Sequence, residues 1–280
     1  MLMLNLGCGD RYASGWKNLD FVPIGSDVQC HNLLEELPFA DNSVDVVYNS
    51  HVLEHFSPSQ ASIFLNNCYR KLKQGGIFRI VVPDLENICI EYLKVLNHAY
   101  EGTPEYINKY HWIIIELLDQ MVRNKSGGEM AVFWDMALQS EDTPMIDYIR
   151  ERTGRDIYLQ TDKAKKQPNN LQINLTIIKH FIMVGYTKIL GFLLPTSLRE
   201  NVFNQTPIGE RHCWMYDRFS LKNLLEHHGF SEIQYFNFDG SRIQNFNDFF
   251  LDRKKDLTPY KKSSLYCEAI KLNADARVVS

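Results

Sequence analysis

Two glycines flank a cysteine near the start of the chain, Gly7-Cys8-Gly9, directly behind the apolar run at 1–6. An apolar run that empties into paired glycines reads as a buried strand reaching a ligand. A Cβ at those positions would block the approach of backbone or forbid the turn. Asp20 follows eleven residues after Gly9, in the second strand-like piece, WKNLDF at 16–21. A carboxylate at a strand's end accepts hydrogen bonds from ribose hydroxyls. A further apolar piece, VDVVY at 44–48, runs into NSHVLEHF at 49–56, which sets Asn49, Ser50, His51 and His55 beyond a strand end. Imidazoles in such a place take up protons near neutral pH. Each feature also has a plainer use: the glycines as a tight turn, Asp20 as a turn cap, Glu54 and His55 as residues that orient the chain after the strand.

These groups need elements to hold them. Strand-like pieces are expected at 1–6, 16–21, 27–33, 44–48 and 77–82. A helix is expected from Pro58, with Ser57 as its N-cap and Gly75-Gly76 as its stop. Strand, helix and strand in close succession imply parallel βαβ units. Helical patterns dominate at 85–100, 104–125, 130–138, 145–152 and 171–194, with KAKKQPNN at 163–170 as a linker. Near the C-terminus a helix capped by Ser220 runs to His228 and stops at Gly229. Two strands follow, at 231–238 and 264–271. No helix separates them, which predicts an antiparallel hairpin at the edge of the parallel sheet, joined by a long polar linker at 239–262. The chain divides on this reading into a first half of the core at 1–84, a helical insertion at 85–210, a second half of the core at 211–272 and a loose tail at 273–280.

The 280 residues are 45% hydrophobic, enough for a sizeable core. A net charge of −4 argues against a dedicated nucleic-acid binder, which carries a basic stripe. Six cysteines stand singly with no C-x-x-C pair, so neither a zinc ribbon nor a redox motif is readable, and a reduced, cytoplasmic compartment is expected. No leader peptide and no metal-ligand spacing is read. The run at 173–194 is interrupted by Lys179, His180 and Lys188, which argues against a spanning helix. An interfacial helix on anionic lipid is conceivable there. Burial in the insertion, or at a contact between two copies of the chain, fits better.

A dinucleotide site needs a third glycine where this chain has Tyr12, and its acidic residue comes ~20 residues after the motif. A pyrophosphate is thus poorly supported, and a ligand with ribose and adenine but no phosphate fits better. Taken in order, LNLGCGDRYASGWKNLDF at 4–21, LPFADNSVDVVYNSHVLEHF at 37–56, RKLKQGGIFRIVVPDL at 70–85, WMYDRFSLKNLLEHHGF at 214–230 and SLYCEAIK at 264–271 resemble the class I S-adenosylmethionine-dependent methyltransferases. The likeness is greatest to small predicted methyltransferases associated with polysaccharide and cell-surface biosynthesis. It covers about 110 residues at the two ends of the chain and leaves the middle unmatched.

The resemblance implies an α/β fold, a Rossmann-like sheet that is mostly parallel with an antiparallel C-terminal strand. It implies S-adenosyl-L-methionine as cofactor and methyl transfer to oxygen or nitrogen of a small molecule or glycan precursor. The Gly7-Cys8-Gly9 backbone would meet the methionine part and Asp20 the ribose. Asn32 and Leu33 would flank the adenine, with Asn32 standing where relatives often carry Asp. Asn49 and Ser50 would border the methionine amino group. His55, then His51, are the candidate bases, and Asp84, Arg211, His212 and Tyr216 the candidate acceptor contacts. Two other readings compete: a nicotinamide-dependent oxidoreductase, and a non-catalytic scaffold that uses the same sheet to hold a partner or a membrane surface.

Overall fold

The computed structural model describes residues 1–23, 25–154 and 209–272. The expected linker at 163–170, the apolar run at 171–194 and the tail at 273–280 lie outside the described residues. Seven strands, β1 (Met3–Leu6), β2 (Lys17–Asp20), β3 (Val28–Cys30), β4 (Val44–Ser50), β5 (Leu72–Pro83), β6 (Phe230–Phe236) and β7 (Ser264–Lys271), form one sheet in the order β3-β2-β1-β4-β5-β7-β6. The first five pair in parallel, whereas β7 is antiparallel to both β5 and β6. This is the mostly parallel Rossmann-like sheet with an antiparallel C-terminal edge that the sequence predicts.

The chain winds outward from β1 to β3, then returns to the other side of β1 as β4. That reversal makes the carboxyl ends of β1 and β4 the topological switch point, where open α/β sheets bind ligands. Register sets the row there. Leu6 lies opposite Leu19 on one side and Asn49 on the other, so Gly7, Asp20 and Ser50 follow together at the carboxyl edge.

Apolar layers cover both faces of the sheet. On one face, α1 (Pro58–Lys71) and α6 (Arg218–His227) pack Phe64, Leu65, Leu221 and Leu225 onto Leu4, Leu6, Val47 and Ile80. Ser57 caps α1 through a capping box with Gln60, and Pro58 opens it. The helix ends at Lys71, and its C-cap Leu72 is already extended as the first residue of β5. Gly75 and Gly76 therefore sit inside the strand and are not the helix stop. The N-cap of α6 is Asp217, with Ser220 as the third helical residue closing the box, which corrects the expected start at Ser220. A carboxylate takes the cap because it accepts from the backbone amides of both Phe219 and Ser220.

The other face is covered by the segment at 237–263, which includes the expected polar linker at 239–262. Its 3-10 turn (Phe246–Phe249) and its neighbours place Ile243, Phe246 and Leu251 against Trp16, Tyr48, Val81 and Tyr266. Polar residues spaced between those apolar ones concealed a second core layer.

Four further helices, α2 (Leu85–Tyr100), α3 (Pro104–Val122), α4 (Gly128–Gln139) and α5 (Thr143–Thr153), build their own apolar clusters around Trp112, Ile113, Phe133 and Ile149. They tie back to the sheet through the Asp84–Tyr216 bridge and a hydrogen bond from Ser263 Oγ to the Arg152 carbonyl at 2.8 Å. No helix among the described residues is long and apolar enough to cross a membrane.

Candidate functional site

The site begins with a turn only glycine makes easily. Gly7 has φ +67° and Gly9 has φ +52°, both left-handed. At Gly7 a Cβ would stand 2.3 Å from Cγ2 of Val52, whereas at Gly9 it would meet nothing within 4 Å. One glycine lets the loop close against the chain behind it, and the other opens a cradle. Gly7→Ala should therefore destabilise the fold by ~1–3 kcal/mol in urea denaturation, from strain and overpacking together. A cost below ~0.5 kcal/mol would mean that Val52 simply moves aside.

Asp20 joins the two halves of this edge. Its Oδ2 accepts from the Gly9 amide at 2.8 Å and its Oδ1 from the Val22 amide at 2.9 Å. The loop is anchored in turn by the Gly7 amide donating to the Leu19 carbonyl at 2.8 Å. Cys8 is buried beside them, and burial, with Asp20 nearby, pushes its thiol up to about 11.

Asn49 brings a buried amide to the carboxyl end of β4. The side chain is fully buried, and neither its Oδ1 nor its Nδ2 has a hydrogen-bond partner. A buried orphan amide costs ~1–3 kcal/mol, so such groups call for a reason. Asn49 and Ser50 lie within β4 and not beyond it, since the strand runs two residues past Tyr48. On the β3 side, Asn32 Oδ1 accepts from the Leu34 amide and its Nδ2 donates to Glu35 Oε1, both at 3.2 Å. Leu33 is a core residue under the sheet. Both lie one turn past β3, on the edge that Asp20 begins.

A 3-10 turn at Leu53–His55 follows β4. His51, at φ +56°, turns the chain toward it. Both ring nitrogens of His51 are engaged: Nδ1 with Glu54 Oε1 and Nε2 with Ser264 Oγ, each at 3.0 Å. Burial pushes His51 down to about 4, and because a carboxylate only accepts, its Nδ1–H donates to Glu54. With both nitrogens engaged, the His51 ring holds no free lone pair in this arrangement. Glu54 is fully buried. Burial opposes its charge, but the His51 hydrogen bond and the imidazoles of His51, His55 and His212 together outweigh this and hold the carboxyl low, at about 2. Its second oxygen, Oε2, has no partner.

His55 is half-buried, and its Nδ1 lies 2.7 Å from the Arg211 carbonyl. A carbonyl only accepts, so Nδ1 carries the proton and Nε2 the lone pair. The His212 ring stands 5.2 Å from that of His55 and is pushed down to about 3 by burial. Within this group, one carboxylate oxygen of Glu54 and one ring nitrogen each of His55 and His212 lie within 4.8 Å of one another. The sequence reading found no metal-ligand spacing, because His212 comes 157 residues after His55 in the chain. Glu54, taken there as structural, is the residue that the cluster surrounds.

His212 also lines a cavity of about 550 Å³ between the sheet's carboxyl edge at Pro83 and Ser263 and the helical layer at Gln120, Met130 and Trp134. The other expected acceptor contacts have structural partners. Asp84 caps α2 by accepting from the Asn87 amide at 3.2 Å, and burial raises its carboxyl above the usual range. Tyr216 is buried in the core, and its carbonyl accepts from the Leu85 amide at 3.0 Å. Arg211 donates from its guanidinium to the Met121 carbonyl at 3.1 Å.

Comparison with known proteins bears on the same stretch. Residues 4–80 match a family described as a methyltransferase domain. A probable S-adenosylmethionine-dependent methyltransferase of Mycolicibacterium smegmatis is 46% identical over 54 residues, 19% of this chain and 20% of that protein. An uncharacterized methyltransferase of Synechocystis is 38% identical over 60 residues, 21% of this chain and 27% of that protein. The chain thus spans about a fifth to a quarter of the length of the curated relatives it matches. A solved SAM-dependent methyltransferase from Archaeoglobus fulgidus aligns over 96% of this chain and 85% of its own, with 13% identity and a TM-score of 0.37. That value adds nothing to what the strand order already says of the fold.

Proposed function

We propose that this chain is an S-adenosylmethionine-dependent methyltransferase that methylates an oxygen or nitrogen of a small molecule or glycan precursor. The observation that carries the reading is the hydrogen bond from the Gly9 amide to Asp20, made on the same carboxyl edge of the sheet as the orphan amide of Asn49. A left-handed cradle with open space above Gly9, a carboxylate at the neighbouring strand end and an unpaired buried amide fit a ligand that carries hydroxyls and an amino acid head but no pyrophosphate. Tyr12 in place of a third glycine disfavours a dinucleotide.

S-adenosylmethionine supplies an activated methyl group already attached to its leaving group. The protein's task is then mostly alignment, worth up to ~7–11 kcal/mol where the geometry is good. The Gly7–Gly9 backbone lies against the methionine portion, and Asp20 accepts from the ribose hydroxyls. Asn49, with Ser50 next to it, hydrogen-bonds the amino acid head, while Asn32 and Leu33 border the adenine. Nε2 of His55 is the lone pair that takes a proton from an acceptor hydroxyl or ammonium. The helices at 85–153 act as the acceptor-binding layer, with His212 in the cavity wall and Asp84, Arg211 and Tyr216 as further acceptor contacts. The cores at 1–84 and 211–272 act as one unit around them.

Calorimetry with S-adenosylhomocysteine and with NAD tests this. The first is expected to bind with a micromolar dissociation constant, about −8 kcal/mol, and the second not at all. NAD binding alone would overturn the reading in favour of a hydride-transfer enzyme, and binding of neither would favour a scaffold. Asn49→Leu sharpens the test. Removing an unpaired buried amide should stabilise the ligand-free fold by ~1–2 kcal/mol while weakening S-adenosylhomocysteine binding. Equal affinity in the variant would detach Asn49 from the cofactor.

A further inference from the structure

We infer that Glu54, His55 and His212 form a binding site for one divalent transition-metal cation of the zinc class, on the wall of the cavity assigned to the acceptor. The inference rests on the proposed methyl transfer only for the role it gives the cation, not for the site itself.

Three observations carry it. The candidate donor atoms, one from each residue, lie within 4.8 Å of one another. Bond lengths of ~2.0–2.1 Å at tetrahedral angles put ligand atoms ~3.3 Å apart, so closing on an ion would draw the donor atoms together by at most ~1.5 Å. Second, Glu54 Oε2 is an unpartnered oxygen on a fully buried carboxylate. Burying such an oxygen without a donor or a cation is costly, and hydrogen bonding by His51 satisfies only Oε1. Third, the surrounding bonds are those that orient metal ligands. His55 donates Nδ1–H to the Arg211 carbonyl, which fixes its tautomer and leaves Nε2 to ligate. His51 donates to the carboxylate itself, so the ligating Glu54 is braced from behind. The backbone amides of Cys213 and Trp214 donate to the Glu54 carbonyl at 2.6 and 3.2 Å, and the His212 amide to the Gln120 carbonyl at 2.9 Å. These bonds bring the two distant segments of chain together.

Two imidazoles and one carboxylate select borderline divalent ions over magnesium or calcium, which prefer all-oxygen shells. Three protein ligands leave at least one coordination position open. Because His212 lines the cavity, that position is the place for an oxygen of the methyl acceptor. On this account the Nε2 lone pair of His55 would hold the cation in place of acting as a base, and an acceptor hydroxyl meeting the cation there would lose its proton to solvent water, the cation's charge making that loss easier.

The test is calorimetric titration of the chelator-treated full chain with Zn²⁺ alone, and separately with Co²⁺ followed by its visible absorption. One equivalent is expected to bind with a dissociation constant at or below ~10 μM. His55→Gln and His212→Asn are each expected to weaken it by at least ~30-fold. His55 is half-buried, so His55→Gln keeps the test valid even if the buried His212 variant fails to fold. Binding retained at full affinity in His55→Gln would overturn the site, as would a wild-type chain that takes up no Zn²⁺ below ~1 mM. S-adenosylhomocysteine affinity, measured on the same metal-free samples, separates the two proposals. If it is absent while Zn²⁺ binds, the methyl-transfer reading fails and the metal site stands, and the converse result sinks the metal site alone.

Discussion

Asp20→Ala is expected to weaken S-adenosylhomocysteine binding by more than ~1.5 kcal/mol, which is over tenfold, because hydrogen bonds to a charged acceptor are worth ~1.5–3 kcal/mol. The carboxylate has a second task in the ligand-free protein. It accepts from the amides of Gly9 and Val22, so its loss also frees the loop that forms the cradle. Both effects push affinity in the same direction. Asp20→Asn separates them, since its single carbonyl oxygen keeps one of those backbone bonds, while its amide donates where a hydroxyl also needs an acceptor. Its affinity should fall between wild type and alanine. Denaturation of each variant without ligand reports the loop's own contribution, expected within ~1 kcal/mol because these bonds lie near the surface. An Asp20→Ala protein that binds S-adenosylhomocysteine as wild type does would remove this carboxylate from the site and, with it, the main support for the proposed cofactor pose.

Local signals account for what was readable in advance. The glycines, the acidic strand end and the apolar run at 44–48 each lie within a few residues of their own cause, so parallel units and a ligand edge beyond the first strand followed from pattern, and the Rossmann-like sheet from the resemblance. Helices at 85–153 were legible because their apolar periodicity is carried by residues such as Trp112 and Ile149, which the fold buries. Misreadings came where one residue type serves two ends. Gly75-Gly76 resembles a helix stop, yet Leu72 is already extended and the glycines fall in a strand. Ser220 resembles an N-cap, but Asp217 three residues earlier does that task better. The site beyond β4 was legible only in half. Glu54 and His55 are adjacent in sequence, while His212, which joins them, and Ser264, which holds their neighbour His51, follow the helical layer in the chain. Pairings over such separations leave no periodic trace. The same limit hid Arg79, a cation inside the apolar strand IFRIVV, whose partner carboxylates stand 173 and 189 residues away.

Arg79→Met is expected to cost ~3–5 kcal/mol of folding stability, the scale for removing one member of a buried ion pair, and to lower the melting temperature by ~10 °C. The side chain is fully buried. Its Nε donates to Asp252 Oδ2 and its Nη1 to Glu268 Oε1, each at 2.7 Å, and Nη1 also reaches the Gly240 carbonyl at 2.9 Å. Register places Tyr48, Arg79 and Glu268 side by side across β4, β5 and β7, and Tyr48 donates its hydroxyl to Asp252 Oδ1 at 2.6 Å. The guanidinium also lies over the Phe246 ring, 4.4 Å from its centroid. This one cation therefore neutralises a strand carboxylate and a loop carboxylate and pins the segment at 237–263 to the sheet. Methionine fills much the same volume but leaves two buried carboxylates facing no charge, and that desolvation, not lost packing, makes up the expected cost. The distinction is measurable. Adding Asp252→Asn and Glu268→Gln to Arg79→Met removes the stranded charges and should restore more than half of the lost stability, since neutral amides still serve Tyr48 and the Arg242 amide. If the triple variant were no more stable than the single one, packing around Phe246 would be the cause. A cost below ~1 kcal/mol for Arg79→Met alone would mean that the loop is held by its apolar residues Ile243, Phe246 and Leu251, with the ion pair adding little to them.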